Sequence, residues 1–235
     1  MADDEVTDAS ADLDRLAAAA RAPRAAAVAG IVFAALFAAT LSLFRSAIPA
    51  DADDVGSWLT SSAERSRVEL ALALLPFAGI AFLWFIGVIR DHLGDREDRF
   101  FATVFLGSGL LFVAMLFICG AIMATLVGIS ANASIDVDVW RFGRRLVFTL
   151  MTTYALRMAA VFAIATTTLA RRLGVLPRWL QLVGYVSALA LLVAAAAVPW
   201  LEMLFPLWVM LVSIQILSAG KRALDSPRPG PAGPG

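Results

Sequence analysis

The chain is poor in the side chains that most often do chemistry, because its 235 residues include one cysteine, one histidine and one lysine. Cys119 has no second cysteine for a disulfide, and a thiolate metal site needs several ligands. His92 has no second histidine and lies between apolar blocks, which excludes bis-histidine haem ligation and a serine–histidine protease pair inside a membrane. Lys221 follows the last apolar block, so an intramembrane Schiff base is also excluded.

Carboxylates and phosphate-binding motifs are equally scarce in the apolar part of the sequence. No apolar block carries Asp or Glu near its centre, which disfavours a proton relay through a membrane. Gly107-Ser108-Gly109 continues neither as a phosphate-binding loop nor as a nucleophile elbow. The acidic residues of 95–98 crowd into one solvated turn, and the near-zero formal charge gives no basis for nucleic-acid binding. We therefore predict a protein that is not an enzyme and has no cofactor or metal.

What the sequence does contain is apolar residues in long blocks. They make up 60% of the chain, whereas charged residues make up 16%. The blocks are about 17 to 30 residues long and are separated by charged stretches, a pattern typical of helices that cross about 30 Å of hydrocarbon. The composition therefore predicts an all-α, polytopic transmembrane helical bundle.

Six spans fit between residues 25 and 218. The stretch from Leu180 to Leu217 is almost unbroken, but one helix of that length would measure about 57 Å, far more than a bilayer. Pro199 with Pro206 disfavours a continuous helix, and Trp200 with Glu202 is typical of a membrane interface. A tight hairpin is therefore predicted there, and the spans are about 25–44, 68–89, 100–129, 146–170, 180–198 and 200–218.

The flanking segments predict the orientation. Residues 1–24 are acidic and then alanine-rich, and 219–235 are rich in proline and glycine, so we expect flexible tails. The first span, with its long apolar core, favours an uncleaved anchor over a signal peptide. Arginine and lysine are twice as frequent in the segments on the side of the N-terminus, which predicts that both termini are cytoplasmic in a multi-pass protein of the cell membrane.

Small residues at intervals of four predict how the helices pack, because helices associate in lipid through close contact. The rows that include glycine carry most weight in an alanine-rich sequence. They pass through Gly30 in the first span, Gly120 and Gly128 in the third, and Gly184 in the fifth. We expect these rows to be packing faces within the bundle, and an interface between copies is the alternative.

Arg157 is the residue that stands out, because it lies near the middle of the fourth span. An arginine at that depth costs at least about 2.5–3.5 kcal/mol on insertion, so something must compensate it. Thr153 and Tyr154 are candidate hydrogen-bond partners on the same helix. Glu69 and Glu202 are the nearest acidic candidates, but both belong to the predicted outer side, about 10 Å or more away along the helix axes.

These observations leave two roles for Arg157. It is either a buried arginine that ties helices together or a binding residue for a carboxylate or phosphate, whose shape the guanidinium matches. The first role predicts a non-catalytic accessory subunit or scaffold, in contact with the lipid bilayer and with a membrane-protein partner or further copies of itself. The second predicts a small transporter or channel-like protein for an anionic or amphipathic solute. A membrane enzyme that uses the outer acidic residues is a third alternative.

Overall fold

The computed structural model describes the backbone of residues 2–48, 61–93, 99–132, 136–172, 174 and 176–225. Side chains are described within 24–48, 61–90, 102–130, 136–172, 174 and 176–218. This described part is helical apart from short connections, and it forms a bundle of long apolar helices. The predicted fold class, an all-α bundle with about six spans, is confirmed, whereas the orientation of the termini stays a prediction.

Within the described residues, seven α-helices form the bundle. The fourth and fifth are joined without a break by a π-helical segment, Leu150–Ala155, and so make one span. In this described part of the chain, five spans are long and apolar enough to cross a membrane, and α6 is shorter. The helices are α1 (Ala2–Ala47), α2 (Ser62–Leu93), α3 (Arg99–Asn132), α4 (Val137–Thr149), α5 (Leu156–Arg172), α6 (Arg178–Ala194) and α7 (Leu204–Asp225).

Several helices extend beyond the predicted spans. The backbone of α1 is helical from Ala2, within the segment predicted to be a flexible tail, in keeping with the high helix propensity of its many alanines. The span predicted at 146–170 begins at Val137, because the Asp136 side chain caps α4 by accepting the Asp138 N–H at 2.8 Å. Helix α7 continues to Asp225, and residues 226–235 of the predicted C-terminal tail lie outside the described residues.

The apolar stretch near the C-terminus folds as a hairpin. Helix α6 ends at Ala194, and a turn leads to Trp200, whose φ of 67° is left-handed. A short 3₁₀ turn, Leu201–Met203, then leads into α7. Pro206 falls in the first turn of α7, where the missing N–H needs no helical partner. The break lies where the two prolines and Glu202 predicted it.

The centre of the bundle is a cluster of aromatic rings from five helices. Ring centroids lie 4.5 Å apart for Phe33 and Phe82, and 4.9 Å apart for Phe112 and Phe205. Such rings fill space by offset and edge-to-face contacts, which hold helices together even where lipid is as apolar as the side chains. The sequence analysis did not predict this cluster, whose members are Phe33, Phe37, Phe82, Phe85, Phe105, Phe112, Phe162, Phe205 and Trp208.

Two glycines permit close approach of helices around these rings. A Cβ at Gly30 would overlap the Ser213 hydroxyl of α7. A Cβ at Gly184 of α6 would overlap the Thr167 hydroxyl of α5 and lie 2.9 Å from Trp208 Nε1. The rows through these two glycines are therefore packing faces. On α3 the row packs closely at Gly120, where a Cβ would lie 2.6 Å from the Leu75 side chain of α2, but not at Gly128, where it would meet no atom within 4 Å.

Candidate functional site

An ion pair joins the last turn of α1 to the α6–α7 hairpin. Arg45 Nη2 lies 2.6 Å from Glu202 Oε1, and Arg45 Nε donates to the same oxygen at 2.8 Å. The Glu202 side chain is only 9% exposed and that of Arg45 is 35% exposed. A buried carboxylate needs such a partner, because an isolated charge is expensive to desolvate. We refer to this side of the bundle, where α1 ends and α7 begins, as the Glu202 end.

Trp200 completes this arrangement. Its ring centroid lies 5.7 Å from the Arg45 guanidinium carbon, within reach of a cation–π interaction. A left-handed backbone is unfavourable for a tryptophan, so the contacts of the hairpin must hold it there. The sequence analysis placed Glu202 at the interface but did not pair it with Arg45. Arg45 directly follows the first predicted span, 25–44, and so belongs to the same predicted outer side as Glu202, which was the available signal.

Arg157 is the second residue of α5, and its side chain is exposed on the surface of the chain. Its Nη1 donates to the carbonyl of Thr153 at 2.6 Å. Tyr154 lies one turn away and is 53% exposed. The structure thus brings Arg157 to Thr153. It does not bring Arg157 to the two acidic candidates, because Glu202 pairs with Arg45, and Glu69 is exposed near the start of α2. Whether Arg157 binds a ligand stays a prediction.

The depth of Arg157 follows from contacts of its span with α3. Val147, ten residues earlier, meets the Cys119 thiol through its carbonyl at 3.8 Å. Phe162, five residues later, stacks on Phe105 with centroids 4.9 Å apart. Arg157 therefore lies opposite the stretch of α3 near Leu110, about a third of the way along this 34-residue helix from Arg99.

The π-helical segment controls which way Arg157 faces. In this segment the Leu156 N–H bonds to the Met151 carbonyl, five residues back rather than four. The extra residue shifts everything after it by about one residue's rotation, roughly 100°. As a result Arg157 falls in line with the exposed residues of α4. We call this exposed row the Arg157 stripe, and it consists of Arg145, Thr149, Tyr154 and Arg157.

Helix α6 ends before it can cover the end of this stripe at Arg157. The Thr168 and Tyr185 hydroxyls lie 3.0 Å apart and fix the antiparallel pairing of α5 and α6. Eleven residues, three helical turns, separate Arg157 from Thr168 and place both on the same face of α5. On the α6 side, the residue eleven positions after Tyr185 is Ala196, which lies in the turn that follows the helix. The side of Arg157 next to α6 is therefore open.

Other features of the described residues offer little chemistry. No group of three or more His, Cys, Asp or Glu that could hold a metal occurs among them. A groove between α2 and α3 is lined by apolar side chains such as Leu75 and Phe117, next to Pro76. Such a wall presents no acid, base or nucleophile.

Comparison of the chain with protein-family models, with curated proteins and with solved structures finds no match. Its class therefore rests on the fold. Long apolar helices pack into a bundle whose outward-facing side chains are largely aliphatic or aromatic, for example Trp84, Leu182 and Val193. The chain is a multi-pass α-helical integral membrane protein.

Proposed function

We propose that the protein is a non-catalytic accessory subunit or scaffold of an assembly in the cell membrane, and that its partner docks along the Arg157 stripe. The observation that carries this proposal is the exposure of Arg157 on the long apolar span Val137–Arg172. A charge facing hydrocarbon costs at least about 2.5–3.5 kcal/mol on insertion. A partner that covers the guanidinium and bonds to it removes that cost.

The packing of the interior supports this proposal over solute transport. A transporter needs a polar passage through the bundle, with Arg157 lining it. At the level of Arg157 the centre of the bundle instead holds Phe82, Phe112 and Phe205, which pack directly on one another. The interior hydroxyls of Ser108 and Thr166 bond to carbonyls of their own helices, so these groups serve the bundle itself.

The test is purification of the tagged protein from native membranes in mild detergent, followed by identification of what accompanies it. We expect a stoichiometric membrane protein with the wild type and with Arg178→Leu, an exposed arginine at the start of α6. We expect its loss with Arg157→Leu. Recovery of the chain alone, or of the same partner in equal amount with all three proteins, would contradict the proposal.

The transport alternative has its own readout. Purified protein reconstituted in liposomes would carry an anion such as chloride or a short-chain carboxylate, and Arg157→Leu would abolish that flux. The accessory-subunit proposal predicts no flux above that of empty liposomes.

A further inference from the structure

We infer that the N-terminal part of α1, residues 2–22, is a docking helix that pairs with a basic helix of a partner protein. We call these residues the α1 extension, because the apolar span of α1 begins after them, at Arg24. The α1 extension lies at the end of the bundle opposite the Glu202 end. This docking helix goes beyond the proposed function, since it does not involve the Arg157 stripe.

The α1 extension continues the first span as helix. The backbone of α1 is helical over 46 residues, from Ala2 to Ala47, whereas the apolar span takes up only the last 24 of them. The many alanines favour a helix, and so do the acidic residues of its first turn, which complement the helix dipole. Pro23 lies at the boundary between extension and span, where its missing N–H permits a bend.

The α1 extension reaches past the end of the neighbouring helix α7. These two helices are antiparallel, because α7 begins at the Glu202 end, where α1 finishes. Gly30 of α1 lies against Ser213 of α7. Asp225, the last residue of α7 and twelve positions after Ser213, is therefore about level with residue 18 of α1. Residues 2–17 thus extend about 24 Å beyond the described end of α7.

The sequence of the α1 extension has the heptad pattern of a helix that pairs with another helix. Its three large aliphatic residues and two of its alanines fall at positions a and d of consecutive heptads, namely Val6, Ala9, Leu13, Leu16 and Ala20. No charged residue of the extension occupies position a or d. A narrow apolar row of this kind, which we call the seam, is typical of a coiled coil.

The seam continues in register into the packed face of α1. Positions a and d of the same heptads in the span are all buried in the bundle, and they are Ala27, Gly30, Ala34, Phe37 and Leu41. A straight helix drifts by only about 20° per heptad from this repeat. The pattern by which α1 packs on its neighbours therefore runs on along the helix, beyond the level at which α7 ends.

Charge identifies the partner helix as basic. Residues 2–17 contain six acidic residues and one arginine. Asp3, Glu5 and Asp12 fall at the e and g positions that flank the seam, and no basic residue of the extension does. Charges at e and g choose the partner of a coiled coil, because they pair with opposite charges on the facing helix. The partner helix therefore carries Lys or Arg at these positions, next to an apolar seam of its own.

Two other occupants fit this charge less well. A second copy of the chain would bring the same acids, Glu5 and Asp12, to the seam and offers no base at e or g, so that like charges would meet. The anionic surface of a membrane attracts basic segments and repels acidic ones. A basic helix of another protein satisfies both the seam and the charge.

The test uses the full-length protein in nanodiscs of zwitterionic phosphatidylcholine and two synthetic three-heptad peptides. Both peptides have Leu at a and d, but one has Lys at e and g, whereas the other has Glu. Binding is measured by fluorescence anisotropy of the labelled peptides. We expect the Lys peptide to bind the wild type about tenfold more tightly than the Glu peptide. Equal binding of the two peptides, or tighter binding of the Glu peptide, would overturn the assignment.

Two matched variants separate the seam from general attraction between charges. Leu13→Asp combined with Leu16→Asp places two charges in the seam, and Ala11→Asp combined with Ala18→Asp places the same two charges at f, away from it. We expect the first variant to bind the Lys peptide about tenfold more weakly than the wild type and the second to bind it at least as tightly. Equal binding by the two variants would show that charge alone attracts the peptide, against the docking helix.

Reversal of the flanking charges tests the partner's chemistry. Glu5→Lys combined with Asp12→Lys should exchange the preference, so that the Glu peptide binds more tightly than the Lys peptide. An unchanged preference for the Lys peptide would contradict the role of the e and g positions. If the wild type forms dimers that Leu13→Asp with Leu16→Asp abolishes, the seam belongs to a second copy, and a basic partner is excluded.

Failure of the docking helix and failure of the proposed function are distinguishable. A native partner that co-purifies in an Arg157-dependent way, together with equal binding of the two peptides, leaves the proposed function standing without the docking helix. A seam-dependent preference for the Lys peptide, together with co-purification that Arg157→Leu does not change, leaves the docking helix standing without the proposed function.

Discussion

Arg45 holds Glu202 with two nitrogens, at 2.6 and 2.8 Å, across 157 positions of sequence. The contact fixes the α6–α7 hairpin to α1, and the carboxylate it serves is almost completely buried. The sequence supplies other arginines on the predicted outer side, but the fold brings this one to Glu202. The stability of variants of this pair therefore provides the first test of the structure.

Removal of one partner is predicted to destabilise the protein more than removal of both. Arg45→Leu leaves the buried Glu202 carboxylate without a cation and should lower the free energy of unfolding by about 2–3 kcal/mol, the lower end of the usual range because Arg45 is partly exposed. Arg45→Leu combined with Glu202→Leu should recover at least half of that loss. Unfolding in mixed detergent micelles measures the difference, with Arg67→Leu as an exposed control. A double variant that is less stable than Arg45→Leu would contradict the assignment of Arg45 as the partner of the Glu202 carboxylate.

The left-handed backbone of Trp200 predicts an unusual order of variants. Trp200→Ala and Trp200→Gly both lose the ring above Arg45, but only glycine adopts a positive φ without cost. Trp200→Gly should therefore be more stable than Trp200→Ala by about 1 kcal/mol. At Val198, where φ is not positive, the alanine variant should be the more stable one. Thermal unfolding in detergent compares the four proteins, and the same order at both positions would argue against strain at Trp200.

Close helix contact predicts opposite effects of the same substitution at two glycines. A methyl group at Gly30 would overlap Ser213 and lie 2.8 Å from Phe85, so Gly30→Ala should cost about 2–3 kcal/mol. Gly87 on α2 has no atom within 4 Å of an added Cβ, and Gly87→Ala should be neutral or stabilise by up to about 1 kcal/mol. The free energy of unfolding of the two variants is compared in mixed micelles. Equal effects would show that α1 and α7 do not pack through Gly30.

The aromatic cluster predicts a large loss at its centre. The Phe82 ring contacts five other rings, among them Phe33 and Phe112, so Phe82→Ala should cost about 3 kcal/mol or more through lost contacts and a cavity. Phe77 lies on the same helix but is 62% exposed, and Phe77→Ala should cost less than about 1 kcal/mol. The free energy of unfolding of both variants is measured in mixed micelles. A loss at Phe77 as large as that at Phe82 would place the packed face of α2 elsewhere.

Arg157 is predicted to contribute little to the stability of the isolated chain. Its side chain is exposed and bonds only to Thr153, so Arg157→Leu should change the free energy of unfolding by less than about 0.5 kcal/mol. Arg45→Leu in the same assay supplies the contrast. A loss of several kcal/mol with Arg157→Leu would mean that the arginine ties helices of this chain together, and the docking proposal would lose its basis.

The sequence was sufficient for the class of fold because membrane spans are read from long apolar blocks, a signal that does not depend on tertiary contacts. The hairpin at Pro199 and the packing faces at Gly30 and Gly184 were also predictable, since proline and glycine act locally. The partners of charged residues were not. Glu202 had Arg45 within reach only after α1 and α7 had packed, and a ring such as Phe112 meets its neighbours through the same long-range assembly.

The π segment explains why the direction in which Arg157 faces could not be predicted from the sequence. A regular helix would rotate Arg157 away from Thr149 and Arg145, toward the neighbouring helices, in agreement with a buried arginine. One extra residue in the turn before it rotates Arg157 by about 100°, onto the exposed row. Neither the apolar pattern nor the spacing of Thr152, Thr153 and Tyr154 reveals such an insertion, because π-helical turns have no strong sequence signal.

The shortness of α6 has a consequence for the surrounding bilayer. Its 17 residues span about 25 Å, less than the roughly 30 Å of a typical hydrocarbon layer, whereas α2 and α3 have 32 and 34 residues. The exposed apolar row of α6, from Leu182 to Val193, therefore faces lipid over a shorter height than the opposite side of the bundle. This hydrophobic mismatch is relieved if the bilayer thins next to α6 or the whole protein leans, at a cost of fractions of a kcal/mol per Å. The protein is then best matched to a bilayer that is thinner next to α6 than on the opposite side of the protein.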